Sequence, residues 1–469
     1  MSIRRFWVPA SVVLLVGFLV AWASQSPLEK SPPGPTDEVE NLPSITKQVD
    51  DYFAQRWQTA GLKPVEVLQD DDELQVYRRL SLALHGTIPS LEEIRRFEAD
   101  QEPDRIARWA AAMLEDRRFA DYFAERLARS FVGTDNGQFI VYRRDRFVTW
   151  LADELHQHRP YDQIVREMIQ DEGLWTGSPA TNFMTSAFNN GEFDENKLAG
   201  RTARAFLGQS MDCAQCHNHF FASWTQEQFQ SLAAFYGQAR LSLVGLNDRT
   251  KDKKGPIEYH YEKRMPGEDG EEIVEQVKID PDVPFGEDWL PSEGTRRQRL
   301  AAWITHPENR RFERAIANRV WGLLFGEAFT TKHEDDDIEI RPVDDMLDPE
   351  PLTAEFSGDA LDILGRDFRE HDYDLRRMIL AIVTSKPFRL SSDHSAKTQE
   401  EYELLENAWA VFPLTRLRPE QVVGSMLQAA SIKTIDRNSH LFVRTIRFFR
   451  EKDFVKNYGD LGADELQER

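Results

Sequence analysis

The helical character of this chain is clearest at residues 90–97, Ser-Leu-Glu-Glu-Ile-Arg-Arg-Phe. Ser90 and Glu93 stand three residues apart, the spacing of a capping box in which a hydroxyl and a carboxylate satisfy the free amides that begin a helix. Ile94 and Phe97 follow at helical spacing and predict a buried face. Apolar side chains recur at this spacing along most of the chain. The sequence therefore predicts a mainly α-helical protein.

Helical periodicity divides the chain into two parts. It runs through residues 45–240, where a second capping box at 225–228 predicts another helix start, and it resumes from residue 296. The segment 241–295 instead holds two strand-like runs, 258–261 and 273–279, with a Pro-Gly-Glu-Asp-Gly turn between them. We therefore expect helical domains at 45–240 and 296–469, joined by a linker that contains a short β-hairpin.

The N-terminus carries a targeting segment. Arg4 and Arg5 precede an apolar run that ends at Ala23, a pattern typical of a signal peptide or a single membrane anchor. Residues 24–44 are rich in Ser, Pro and acidic groups and predict a disordered linker. Either interpretation of residues 1–23 places the remainder in the cell envelope, outside the cytoplasm, where the protein is secreted or held at the membrane through this segment.

The charge of the chain limits its partners. The 469 residues include 80 acidic and 58 basic side chains, for a formal net charge of -22. Such a surface repels polyanions, so the charge argues against sequence-independent binding to nucleic acid or to anionic lipid headgroups.

Both cysteines of the chain lie in residues 213–217, Cys-Ala-Gln-Cys-His, the spacing that attaches a c-type haem. In that interpretation Cys213 and Cys216 form thioethers with haem and His217 is an axial ligand of the iron. Two alternatives stay open: a disulfide or inert thiol pair, and a zinc ion held by Cys213, Cys216, His217 and His219.

Further candidate ligands are scattered. A second axial ligand would come from Met184, His260 or Met265, each of which also fits an ordinary packed or solvated side chain. Without one, the iron would be open to small molecules. The acidic run 333–339, followed by Asp344 and Asp345, has oxygen donors for calcium but lacks EF-hand spacing, which favours a solvated loop.

No catalytic residue can be assigned from the sequence. The chain contains no Gly-x-Ser-x-Gly and no His-Glu-x-x-His motif, and scattered carboxylates in an acidic protein do not identify a hydrolase. Enzyme activity stays open.

Several stretches resemble one protein family. They include residues 77–80, 160–163, 206–208, 213–217 and 233–235, and then 296–297, 317–321, 325–326, 382–385 and 417–420. From about residue 50 to 435 the chain is similar to the planctomycete cytochrome-like proteins, in which a cytochrome-type domain of unknown function precedes a companion domain of unknown function. The resemblance implies an exported, mostly helical protein.

The chain departs from the family pattern in three places. The family usually has Asp and Pro at the positions of Asn218 and Phe220, and its His-Pro-Glu-Leu stretch is replaced around residues 356–361. Family members also continue further, and residues 462–469 carry no C-cap signal. We therefore expect the second domain to be truncated at its C-terminus.

The sequence thus predicts an exported or membrane-tethered redox protein that passes electrons from a covalent haem to a partner protein at the cell envelope. The alternative is a non-redox extracytoplasmic binding or scaffold protein, for example in polysaccharide handling, with residues 213–217 as a disulfide or zinc staple.

Overall fold

The structure is a computed structural model that describes residues 42–69, 72–134, 141–219, 223–253, 255–266, 272–331, 343–353 and 357–436, with Ser439, Phe454 and Asn457. The predicted signal or anchor at 1–23, Phe220 and the acidic run 333–339 lie outside the described residues. Residues 24–41 of the predicted linker do so too, and the first helix among the described residues begins at Pro43, inside the end of that linker. None of the described helices has the length and apolar character needed to cross a membrane.

Helices dominate the described residues, which confirms the predicted mainly α-helical class. The helices are α1 (Pro43–Thr59), α2 (Glu73–His85), α3 (Leu91–Ala99), α4 (Arg105–Glu115), α5 (Arg117–Val132), α6 (Arg144–His156), α7 (Tyr161–Gln170), α8 (Asn182–Thr185), α9 (Glu195–Thr202), α10 (Gln226–Ala233), α11 (Arg296–Ile304), α12 (Arg310–Phe325), α13 (Ala360–Glu370), α14 (Leu375–Thr384), α15 (Lys386–Arg389), α16 (Gln399–Asn407) and α17 (Pro419–Ala429).

Both predicted capping boxes are present. The Ser90 hydroxyl accepts the Glu93 N–H at 3.1 Å, and the Glu93 carboxylate accepts the Ser90 N–H at 2.8 Å, at the start of α3. Thr225 and Gln228 form the same pair of bonds at the start of α10. These bonds begin the two helices because they satisfy amides that have no partner within the helix.

The described strands form antiparallel pairs. The strands are β1 (Phe188–Asn189), β2 (Glu192–Phe193), β3 (Ala239–Ser242), β4 (Gly245–Asp248), β5 (Lys251–Asp252), β6 (Gly255–Pro256), β7 (Tyr259–Pro266) and β8 (Glu272–Ile279). Each odd strand pairs with the next even one. The register of β7 and β8 runs from Tyr259 opposite Ile279 to Pro266 opposite Glu272, which confirms the predicted hairpin.

Among the described residues, one compact unit is formed by residues 68–119 with 416–436. It contains α2, α3, α4, the first residues of α5, and α17. Its core includes Tyr77 stacked on Phe97, with ring centroids 4.3 Å apart, and Trp109 edge-on to both rings. Aromatic pairs of this kind add stabilisation beyond the area that they bury.

A second compact unit is formed by residues 40–67 and 120–415. Trp321 of α12 is fully buried and stacks on Phe325 at 4.3 Å, while Phe53 of α1 and Trp409 lie 5.7 Å and 5.2 Å away. This unit contains helices from both sides of the 241–295 segment, since α7 packs against α11. The boundaries at 45–240 and 296–469 remain a prediction.

Candidate functional site

The Cys-Ala-Gln-Cys-His turn follows the helix α9. That helix continues as a π-helical segment, Ala203–Leu207, and ends at Gly208 in the left-handed conformation. A 3₁₀ turn at Asp212–Gln215 then carries the first cysteine. Met211 and Ala214 are fully buried beneath this turn, and the Ala214 N–H donates to the Met211 carbonyl at 2.8 Å. The two buried side chains anchor the turn to the core.

The chemically active side chains of the turn face outward. Cys213 and Cys216 are exposed free thiols. His217 is also exposed, and its Nδ1 lies 2.8 Å from the Asn218 carbonyl oxygen. Because a carbonyl only accepts, Nδ1 is the donor in this contact, and in the neutral ring Nε2 then carries the lone pair. The ring is therefore in the tautomer that can ligate a metal through Nε2.

Two glutamines of α10 hold the turn. Gln226 and Gln230 each donate from Nε2 to the Gln215 carbonyl oxygen, at 3.2 Å and 3.0 Å. Gln226 also donates to the Tyr261 hydroxyl at 2.8 Å, and Gln230 accepts a hydrogen bond from the Tyr259 hydroxyl. The turn is thus connected through α10 to strand β7.

The end of the loop is closed by its own hydrogen bonds. The His219 N–H donates to the Trp224 carbonyl at 2.8 Å, and the Asn218 side chain accepts the Gln226 N–H at 2.9 Å. Trp224 is 5% exposed and donates from its indole to the Gln209 side chain at 3.2 Å. Its ring packs against Phe285 with centroids 6.4 Å apart. Trp224 therefore belongs to the core.

The candidate second ligands occupy separate places. Met184 is fully buried in α8, whereas His260 is exposed on β7, the strand that also carries Met265. Asp345, which the sequence analysis named as an oxygen donor for calcium, accepts the Ser210 N–H at 3.2 Å. Met184 and His260 thus lie on elements other than the turn, and the second ligand remains a prediction.

A zinc site requires several ligands close together in the part of the chain that the structure describes. No three His, Cys, Asp or Glu side chains in that part of the chain are grouped so as to hold a metal ion. The four candidate zinc ligands therefore share one loop but are not grouped as a metal site: Cys213, Cys216, His217 and His219. Two exposed thiols and one imidazole on the same turn are also the donors that thioether attachment and iron ligation by a haem require.

Comparison with known families divides the chain at the hairpin. Residues 48–240 match PSCyt2, a protein of unknown function (DUF1549), and residues 296–439 match PSD1, a protein of unknown function (DUF1553). The two matches lie in this order along the chain. The turn lies in the PSCyt2 segment, and the hairpin β7–β8 lies between PSCyt2 and PSD1. No curated protein and no solved structure matches the chain.

Sequence reasoning did not find the residues that hold the turn. Gln226 and Gln230 stand four positions apart after a correctly predicted helix start, and this spacing places their side chains on one face of α10. That spacing was the available signal. Their shared acceptor, the Gln215 carbonyl, and their tyrosine partners on β7 depend on contacts between separate elements.

Proposed function

We propose that this chain is an exported or membrane-tethered redox protein of the planctomycete cytochrome-like family, with a covalent c-type haem at residues 213–217. The observation that supports this most directly is the joint exposure of Cys213, Cys216 and His217 on one turn. A flat macrocycle can approach all three side chains from solvent.

The chemistry asked of these residues is simple. Cys213 and Cys216 would hold the haem through two thioethers. In each thioether, the S–H bond and the π bond of one vinyl group would be replaced by a C–S and a C–H bond, with no leaving group and no net transfer of electrons. His217 would hold the iron through Nε2, because its Nδ1 donates to the Asn218 carbonyl. A haem bound there supplies one-electron chemistry. The electron would pass to a partner protein at the cell envelope.

The test is expression of the full chain with a periplasmic haem-maturation system. We expect a Soret band and a mass increase of about one haem that survives denaturation. Cys213→Ser and Cys216→Ser should each remove stable double attachment. His219→Ala is the matched control, since it lies in the same loop and the haem proposal gives it no role. Colourless wild-type protein of unchanged mass contradicts the proposal.

A second candidate function is an extracytoplasmic binding or scaffold protein. It is favoured by one observation: the turn is already held by Gln226, Gln230 and Asn218 through hydrogen bonds within the chain. In this function, residues 213–217 would form a structural disulfide or a structural zinc site and would carry no haem. Intact mass and metal analysis of the colourless protein distinguish a disulfide from a zinc site. A disulfide lowers the intact mass by two hydrogens, whereas bound zinc is detected as metal and is lost to a chelator.

A further inference from the structure

The hairpin β7–β8, which lies between the two matched segments, is connected to the cysteine-bearing turn by hydrogen bonds between side chains. We propose that Tyr259 and Tyr261 of β7 are positioning residues for the haem attachment site, acting through Gln230 and Gln226 on the Gln215 carbonyl. The hydrogen bonds are features of the structure, whereas their purpose rests on the proposed function. The hairpin would thereby control the direction in which the thiols face.

Gln230 is the central link. Its side chain is 2% exposed, and a buried amide is costly unless its polar atoms are hydrogen-bonded. Its Nε2 donates to the Gln215 carbonyl at 3.0 Å, and its Oε1 accepts from the Tyr259 hydroxyl. Burial raises the pKa of Tyr259, which keeps its hydroxyl protonated as the donor. Both ends of the amide are therefore occupied, one by the turn and one by the hairpin.

Gln226 makes a second, parallel link. It donates to the same Gln215 carbonyl at 3.2 Å and to the Tyr261 hydroxyl at 2.8 Å. Tyr259 and Tyr261 are two residues apart, so their side chains lie on the same face of β7. Two adjacent links through one carbonyl restrain the turn more strongly than one link would, since both must break before the turn can rotate.

The base of the hairpin is held close to the body. A methyl group at Gly237 would lie 2.8 Å from Tyr259 Cβ and 3.0 Å from Tyr259 N, so the two backbones meet where no side chain fits. The Tyr259 hydroxyl also lies 2.7 Å from Asn196 Oδ1 of α9, the helix that leads into the turn. The tyrosine is thus fixed at both its backbone and its hydroxyl.

The test replaces both tyrosines with phenylalanine, which keeps the rings and removes only the hydroxyls. In haem-free full-length protein, amide hydrogen exchange of residues 211–219 should accelerate about tenfold in the Tyr259→Phe/Tyr261→Phe variant, because each lost hydrogen bond weakens the restraint. Tyr402→Phe is the matched control, since its hydroxyl donates to Glu406 within α16. The control should exchange at the wild-type rate in residues 211–219.

A second readout separates positioning from general support of the fold. After haem maturation, intact mass and the Soret band should show a smaller fraction of doubly attached haem in the double variant, at equal yield of folded protein. The double variant Gln226→Glu/Gln230→Glu removes the donors at nearly constant shape and should give the same defect. Exchange and haem loading that both match wild type would overturn the inference. Wild-type protein that takes up no haem defeats the proposed function instead, and the exchange rates still decide whether the tyrosines hold the turn.

Discussion

At the residue scale, His85 is a buried histidine that should make stability depend on pH. It is 3% exposed, and its Nε2 donates to the Met113 carbonyl at 3.0 Å. Burial, with a smaller contribution from Arg118, lowers the pKa of His85 to about 4. An unfolded histidine titrates near pH 6.5. Below that value the unfolded chain therefore binds a proton that the folded chain does not.

Unfolding in urea tests this titration. The stabilising contribution of neutral His85 is complete above about pH 6.5 and is lost as the pH falls toward about 4. Between pH 7 and pH 5 we expect a loss of about 2 kcal/mol in the free energy of unfolding from this side chain. His85→Gln keeps a donor for the Met113 carbonyl and has no proton to gain, so its loss should be smaller. An equal loss in both proteins would rule out His85 as the source.

At the element scale, the position of the hairpin β7–β8 against α10 should depend on the absence of a side chain at Gly237. Its φ of -60° suits alanine, so Gly237→Ala adds no backbone strain, but the methyl group would meet Tyr259 Cβ at 2.8 Å. We expect β7 to move away from α10 and hydrogen exchange of both the hairpin and residues 211–219 to rise. The expected destabilisation is about 1–3 kcal/mol, the usual cost of overpacking.

Gly177→Ala is the matched control for this variant, because nothing lies within 4 Å of the methyl group that it adds. We expect it to change stability by less than about 0.5 kcal/mol. Equal exchange rates in the two alanine variants and the wild type would show that the position of the hairpin does not depend on Gly237.

At the scale of the whole molecule, Arg297 ties together three parts of the chain within the second compact unit. This guanidinium is fully buried. It donates to Asp248 Oδ1 at 2.8 Å and to the carbonyls of Ile169 and Asp171, both at 2.9 Å. Arg297 belongs to the PSD1 segment and Ile169 to the PSCyt2 segment. The two matched segments are therefore joined by buried polar contacts.

Arg297→Met should destabilise both segments together. Asp248 keeps a side chain that is 6% exposed, and removing its partner leaves a buried charge uncompensated, at a cost of about 3–5 kcal/mol. Hydrogen exchange should rise in α7 and α11 alike, as expected for one cooperative unit. Arg249→Met, at an exposed arginine near the same strand, should be nearly neutral. Faster exchange in α11 alone would mean that the segments unfold independently.

The local features were predictable because their causes lie within a few residues. Ser90 and Glu93 are three positions apart, and a capping box needs only these two side chains and their own amides. The hairpin was predictable from two strand-like runs around a Pro-Gly turn. For these features the order of residues along the chain was sufficient.

The remaining features required distant parts of the chain to meet. His85 donates to a carbonyl 28 positions away, and Arg297 reaches Ile169 across 128 positions. Gln230 is 29 positions from Tyr259 and 15 from Gln215, the two residues to which its side chain is hydrogen-bonded. In the sequence alone, Gln230 looks like an ordinary polar residue of a helix. Burial and pairing between elements depend on how helices pack, and neither hydrophobic period nor cap spacing carries that information. The packed structure alone therefore decided which polar side chains are buried, which partners they have, and how the thiols are held.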